Sequence, residues 1–135
     1  MRKIFLLTFL ALGFFACTIN EGPDVNVFSE TYTVEKSHWN KASDEELGNY
    51  LWYEFDEPAL TREVFNYGIL NAYLKIGDKL YPLPFDDFYI NNSGQWTEQV
   101  SCEFRPGFIT FIVKYDDQEL VFPSSNYTFL VRLMW

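Results

Sequence analysis

One histidine, two cysteines and 19 acidic side chains are the groups with chemical potential in this chain of 135 residues. A Ser-His-Asp or Cys-His arrangement would have to use His38. That residue stands in a polar stretch beside Trp39, with no nucleophile in a strand-turn-helix setting, so it reads as a solvated histidine. A transition-metal site needs two or more His or Cys ligands, which this composition does not supply. There is no Gly-rich phosphate loop. Asp86-Asp87, and Asp116-Asp117 with Glu119, could hold calcium at a loop, but their spacing matches no calcium motif and Asp is a common turn former. With so many acids, a pair at glycosidase spacing arises by chance and carries no weight. The chain is therefore expected to use no metal or other cofactor and not to be an enzyme.

Aromatic residues are the surplus, at 20% of the chain. A domain of this size needs roughly a dozen large core residues. Tyr32, Trp39, Tyr50 and Trp52 are left over on polar-facing positions. Tyr50, Trp52 and Glu54 share one strand face at period two, about 6.8 Å between successive members. Two rings at that spacing suit neighbouring sugar units, and Glu54 would accept hydroxyl hydrogen bonds. Trp39, in the loop leading into the strand, would close over them. The competing expectation is that this loop, Glu35–Gly48, covers the same face and makes the rings core.

The N-terminus carries an address. Met1-Arg2-Lys3 is basic, and Ile4–Ala16 is uncharged. Thirteen residues are too short to span a bilayer, which takes roughly 20, but they suit the apolar region of a signal peptide. The run stops at Ala16-Cys17, which resembles a bacterial lipoprotein signal: cleavage before Cys17, lipidation of Cys17, and anchoring of the mature chain. Thr18 is not Asp, so an inner-membrane retention signal is not expected; outer membrane is. Cleavage removes Arg2 and Lys3 and no acid, so the mature chain is more acidic than the formal −9. That charge disfavours nucleic acid as a partner and leaves the lipid as the link to the membrane. With Cys17 lipidated, Cys102 has no disulfide partner. It alternates in phase with Trp96, Val100 and Phe104, so it is expected to be a buried structural thiol rather than a nucleophile.

Strands must position these groups. Residues 17–24 read as the lipidated Cys and a tether. Alternation marks strands over Val25–Val34, Asn49–Phe55, Ile69–Ile76, Lys79–Leu83, Trp96–Phe104, Phe108–Tyr115, Glu119–Phe122 and Tyr127–Trp135. Asp87–Ile90 is a short apolar piece. Gly77-Asp78 is a hairpin signal. Pro82 and Pro84 confine their strand to an edge or bend. Ser43–Gly48 and Thr61–Tyr67 could each form one helical turn, capped by Ser43 and Thr61. No long 3.6-residue period exists. The fold class is all-β: a single antiparallel β-sandwich of about seven or eight strands over 25–135. A transmembrane barrel is disfavoured by short strands, several prolines and the lipid signal.

From Pro58 onward the chain resembles a group of small lipoproteins typical of the Bacteroidota. The resembling stretches are Pro58-Ala59-Leu60-Thr61, Val64 with Gly68, Ala72-Tyr73-Leu74-Lys75, Tyr81-Pro82-Leu83-Pro84 and Thr128-Phe129-Leu130-Val131. Some members carry a collagen-like stem after the lipidated Cys; here Glu21-Gly22-Pro23-Asp24 has no Gly-X-Y period. The resemblance implies a C-terminal β domain on a lipid anchor and carries over no functional residue. Two functions follow as expectations. One is a non-enzymatic envelope protein acting by contact with another envelope component, such as a protein. The other is a small glycan-binding module of a polysaccharide-uptake system. Exposure of the Tyr50–Trp52 face separates them.

Overall fold

The computed structural model describes residues 22, 24–91, 94–116 and 123–135. The expected signal peptide, Cys17, most of the tether, the Glu119–Phe122 strand, and Asp117 and Glu119 of the acidic turn lie outside the described residues. Within them the chain runs β1 (Val27–Val34), β2 (Asn40–Asp44), β3 (Gly48–Asp56), α1 (Arg62–Tyr67), β4 (Ile69–Ile76), β5 (Lys79–Pro82), β6 (Phe85–Asn91), β7 (Gly94–Arg105), β8 (Phe108–Tyr115) and β9 (Tyr127–Met134). The strands form two sheets, ordered β1-β9-β4-β5 and β2-β3-β8-β7-β6. Every pairing is antiparallel. The fold is a β-sandwich, with nine strands among the described residues against the seven or eight that the turn signals suggest for the whole chain.

Two strands exceed those expected: β6, where only the short apolar piece Asp87–Ile90 was expected, and β2, inside the stretch expected to be a polar loop. No helical turn forms at Ser43–Gly48. The Asp44 carboxylate instead accepts the backbone N–H groups of Glu46, at 3.0 Å, and Leu47, at 2.5 Å. Such side-chain bonds offer the backbone an alternative to a helix. Gly48 then takes φ +71°, a conformation that glycine adopts without a Cβ penalty. The turn folds β2 back along β3, from Asp44 opposite Gly48 to Asn40 opposite Trp52.

Two central strands make the core. β9 lies between β1 and β4, and its inward Phe129, Val131 and Leu133 are fully buried. β8 holds the equivalent place in the other sheet, with Ile109, Phe111 and Val113 fully buried. Phe111 stacks on Phe129 across the sandwich, ring centroids 3.8 Å apart and planes 8° from parallel. Burial of each such side chain contributes roughly 1.5–3 kcal/mol. Tyr32 belongs to this core as well. Sequence pattern places it among polar-facing rings, but it is in phase with the buried Val34 and is 8% exposed.

Two connections fix how the sheets meet. After β5, an edge strand, Leu83 donates its N–H to the Ala72 carbonyl at 2.9 Å. The chain then crosses at Pro84 into β6, the edge of the other sheet. The second connection is α1. Thr61 caps it as expected, its Oγ1 accepting the Val64 N–H at 3.2 Å. Gly68 ends α1 in extended backbone, so its value is not a left-handed turn but close approach. A Cβ there would lie 2.5 Å from the Val64 carbonyl oxygen and 2.9 Å from that of Met134.

Candidate functional site

The pleat of β3 divides its side chains in two. Leu51 is fully buried, and Tyr53 and Phe55 pack against the core. Tyr50, Trp52 and Glu54 take the other phase, on the outer face of the five-stranded sheet. There Tyr50 and Trp52, both half-buried, line an open depression of about 420 Å³. The buried Ile112 and the half-buried Thr110, from the neighbouring strand β8, contribute to its lining. The β2–β3 turn contributes Leu47 and the carboxylates of Asp44 and Glu46, and β7 contributes Glu103. Among the described residues no Lys or Arg lines the depression. The Tyr50 phenol is raised above its usual pKa, first by burial and then by the Asp44 and Glu103 carboxylates.

Two of the four expected site residues stand elsewhere. Glu54 does not line the depression. Arg105 holds its carboxylate through Nη2, 2.8 Å from each oxygen, and Thr110 donates its hydroxyl at 2.9 Å. The Arg105 hydrogen bond holds the Glu54 carboxyl below its usual range, against the partial burial that opposes it. It is engaged by Arg105 and Thr110, so it is not the free polar partner that alternation suggests.

Trp39 is the larger correction. It does not close over Tyr50 and Trp52. It is 4% exposed and meets Tyr127 of the opposite sheet edge-on, at 5.8 Å and 80°. The reason is phase. Asn40 and Ala42 sit opposite Trp52 and Tyr50, so they take the outer phase and the preceding residue turns inward. The Trp39 indole N–H has no hydrogen-bond partner among the described residues. The loop expected to bury the platform is thus a strand beside it, with its own Trp pointing into the core.

Two carboxylates that the sequence pattern did not single out are buried. Glu98 is 6% exposed and accepts the Tyr127 hydroxyl at 2.6 Å. Burial, then Glu98, holds the Tyr127 and Tyr115 phenols far above their usual range. Glu57 is 4% exposed, accepts the Tyr32 hydroxyl, and accepts the Ala59 N–H at 2.8 Å. The signal for Glu98 was present in the chain: it falls in phase between Trp96 and Val100. Both carboxylates are partnered by tyrosines that couple the sheets, which is a structural role.

The remaining reactive groups are quiet. Cys102 is partly buried against the core, and burial pushes its thiol up to about 12, away from the reactive thiolate. His38 is exposed, with Nε2 3.6 Å from Glu35. Among the described residues no three His, Cys, Asp or Glu side chains group as a metal site. No helix there is long and apolar enough to cross a membrane. No protein family, curated protein or solved structure matches the chain.

Proposed function

We propose that this is a non-enzymatic domain, held at the outer membrane by lipid on Cys17, which acts by contact with another envelope component. The contact surface is the outer face of the five-stranded sheet. The observation that carries this is the depression of about 420 Å³ beside Tyr50 and Trp52, in the size range of small-ligand sites. The Cys102 thiol, pushed up to about 12, argues against nucleophilic chemistry. The lipoprotein-like N-terminus and the resemblance to small Bacteroidota lipoproteins support the location.

The depression also favours a glycan as that component. Two rings on one strand face, bordered by carboxylates and the Thr110 hydroxyl, offer stacking and hydrogen bonding together. Three carboxylates and, among the described residues, no cation in the lining select against sulfated or uronic-acid polymers, so a neutral glycan is the fit. Affinity electrophoresis of the full chain through gels containing neutral or acidic polysaccharide tests this. Retention in a neutral gel that is lost in Trp52→Ala supports the glycan. Equal mobility of wild type and variant in every gel removes the glycan and leaves a protein as the component.

A further inference from the structure

Exposed apolar side chains gather at one end of the molecule, where the first and last strands meet; others stand apart from it, Ile76 and Leu80 at the β4–β5 hairpin and Phe88, Tyr89 and Ile90 on β6. Val27, Met134 and Ile69 stand opposite one another across β1, β9 and β4, so they form one row on the outer face of the four-stranded sheet. Val27 is 63% and Ile69 58% exposed. Val25 continues the row beyond β1, where Asn26 and Trp135 exchange backbone hydrogen bonds at 2.8 and 3.1 Å. Tyr67, at the end of α1 and two residues before Ile69, is 84% exposed. Trp135 is 40% exposed. An exposed apolar set of this kind marks an interaction surface. Its composition, aliphatic side chains with a Trp and a Tyr, is that of groups found at membrane–water interfaces.

The chain itself says what this end faces. Cys17 and Val25 are eight residues apart, which at full extension span at most about 28 Å. A lipid on Cys17 therefore keeps the Val25 end, and no other part of the domain by necessity, within that distance of the bilayer. Charge agrees. The protein is acidic overall, yet Arg132 lies one row further up the same face, opposite Ser29 and Asn71, and Arg62 opens α1. Asp24 and Glu63 are the acids nearest in sequence.

We propose that this end of the sandwich, with Val25, Val27, Tyr67, Ile69, Met134 and Trp135, rests on the lipid surface and orients the domain, an inference that depends on the Cys17 anchor. The opposite end and the outer face of the five-stranded sheet are then held toward the envelope space. Weak apolar contact suffices, because the anchor supplies a high local concentration of lipid.

The test uses the full-length protein purified from membranes and reconstituted into phosphatidylcholine vesicles with brominated acyl chains. A ring at the headgroup–acyl boundary is quenched by bromine, so Trp135 should lose emission in brominated vesicles relative to unbrominated ones. Replacing Trp135 by Phe should remove that quenched component, and Trp52→Phe should leave it. Val27→Glu with Ile69→Glu, at exposed sites, should abolish the quenching while far-ultraviolet circular dichroism stays unchanged. Intact mass separates the two layers of the account. Lipid on Cys17 with Trp135 unquenched overturns the orientation alone. An unlipidated Cys17 overturns the anchor and the orientation together.

Discussion

Removing the Tyr127 hydroxyl with Tyr127→Phe isolates the most demanding polar contact in the core. Glu98 is 6% exposed, and its Oε1 accepts that hydroxyl at 2.6 Å. A hydrogen bond to a charged group contributes about 1.5–3 kcal/mol, and Glu98, which keeps the Tyr115 phenol, loses one of its two tyrosine partners. The ring itself stays packed, edge-on to Trp39 at 5.8 Å, so no cavity adds to the cost. The expected loss is about 2–3 kcal/mol, a large part of the roughly 5–15 kcal/mol of a typical domain. At this size that lowers Tm by about 10 °C. Urea denaturation followed by fluorescence measures it. The control is the same substitution in a Glu98→Leu background, where no buried carboxylate is left unpaired. There Tyr127→Phe should change stability by less than about 0.5 kcal/mol. Equal losses in both backgrounds would refute the pairing, and so would no loss in either.

Other outcomes follow from the same geometry. Gly68→Ala should cost about 1–3 kcal/mol in urea titrations, because the new Cβ meets two backbone oxygens, at 2.5 and 2.9 Å, that cannot swing away; a neutral variant would contradict the close approach. The phenols of Tyr32, Tyr115 and Tyr127 are all raised in the folded state by burial and by Glu57 or Glu98. Their contribution is fully present below about pH 10, the unfolded value, and is lost as pH rises toward the folded values. The urea midpoint should therefore fall above about pH 10, and a midpoint independent of pH there would count against it. Acrylamide should quench the half-buried Trp52 well and Trp39, 4% exposed, poorly; Trp52→Phe should remove much of the quenchable emission.

Alternation carried most of the fold. Ile69–Ile76 and Phe108–Tyr115 have the strand limits that period two predicts, because a half-buried strand must place apolar groups on every second residue. β2 was not legible, since Asn40–Asp44 holds one apolar residue and lies at a sheet edge. What makes it a strand is hydrogen bonding to β3 and the Asp44 turn, neither of which leaves an apolar period. The site was half legible for the same reason. Period two put Tyr50 and Trp52 on the outer face, but missing β2 misplaced Trp39. Glu54 looked free because its partner Arg105 is 51 residues away. Asp44, Glu46 and Glu103 join the depression only through the pairing of β2, β3, β8 and β7, which no local pattern encodes.

Photo-crosslinking in living cells is the most direct measurement of the contact surface. A photoreactive amino acid replaces Trp52 in the full-length protein, and a second variant carries it in place of Lys79, exposed beside the β4–β5 hairpin turn. The account expects one dominant adduct from position 52 and little from position 79, with mass spectrometry identifying the adduct as a glycan or an envelope protein. Equal labelling from both positions, or no adduct from position 52, would contradict a contact surface at the Tyr50–Trp52 depression.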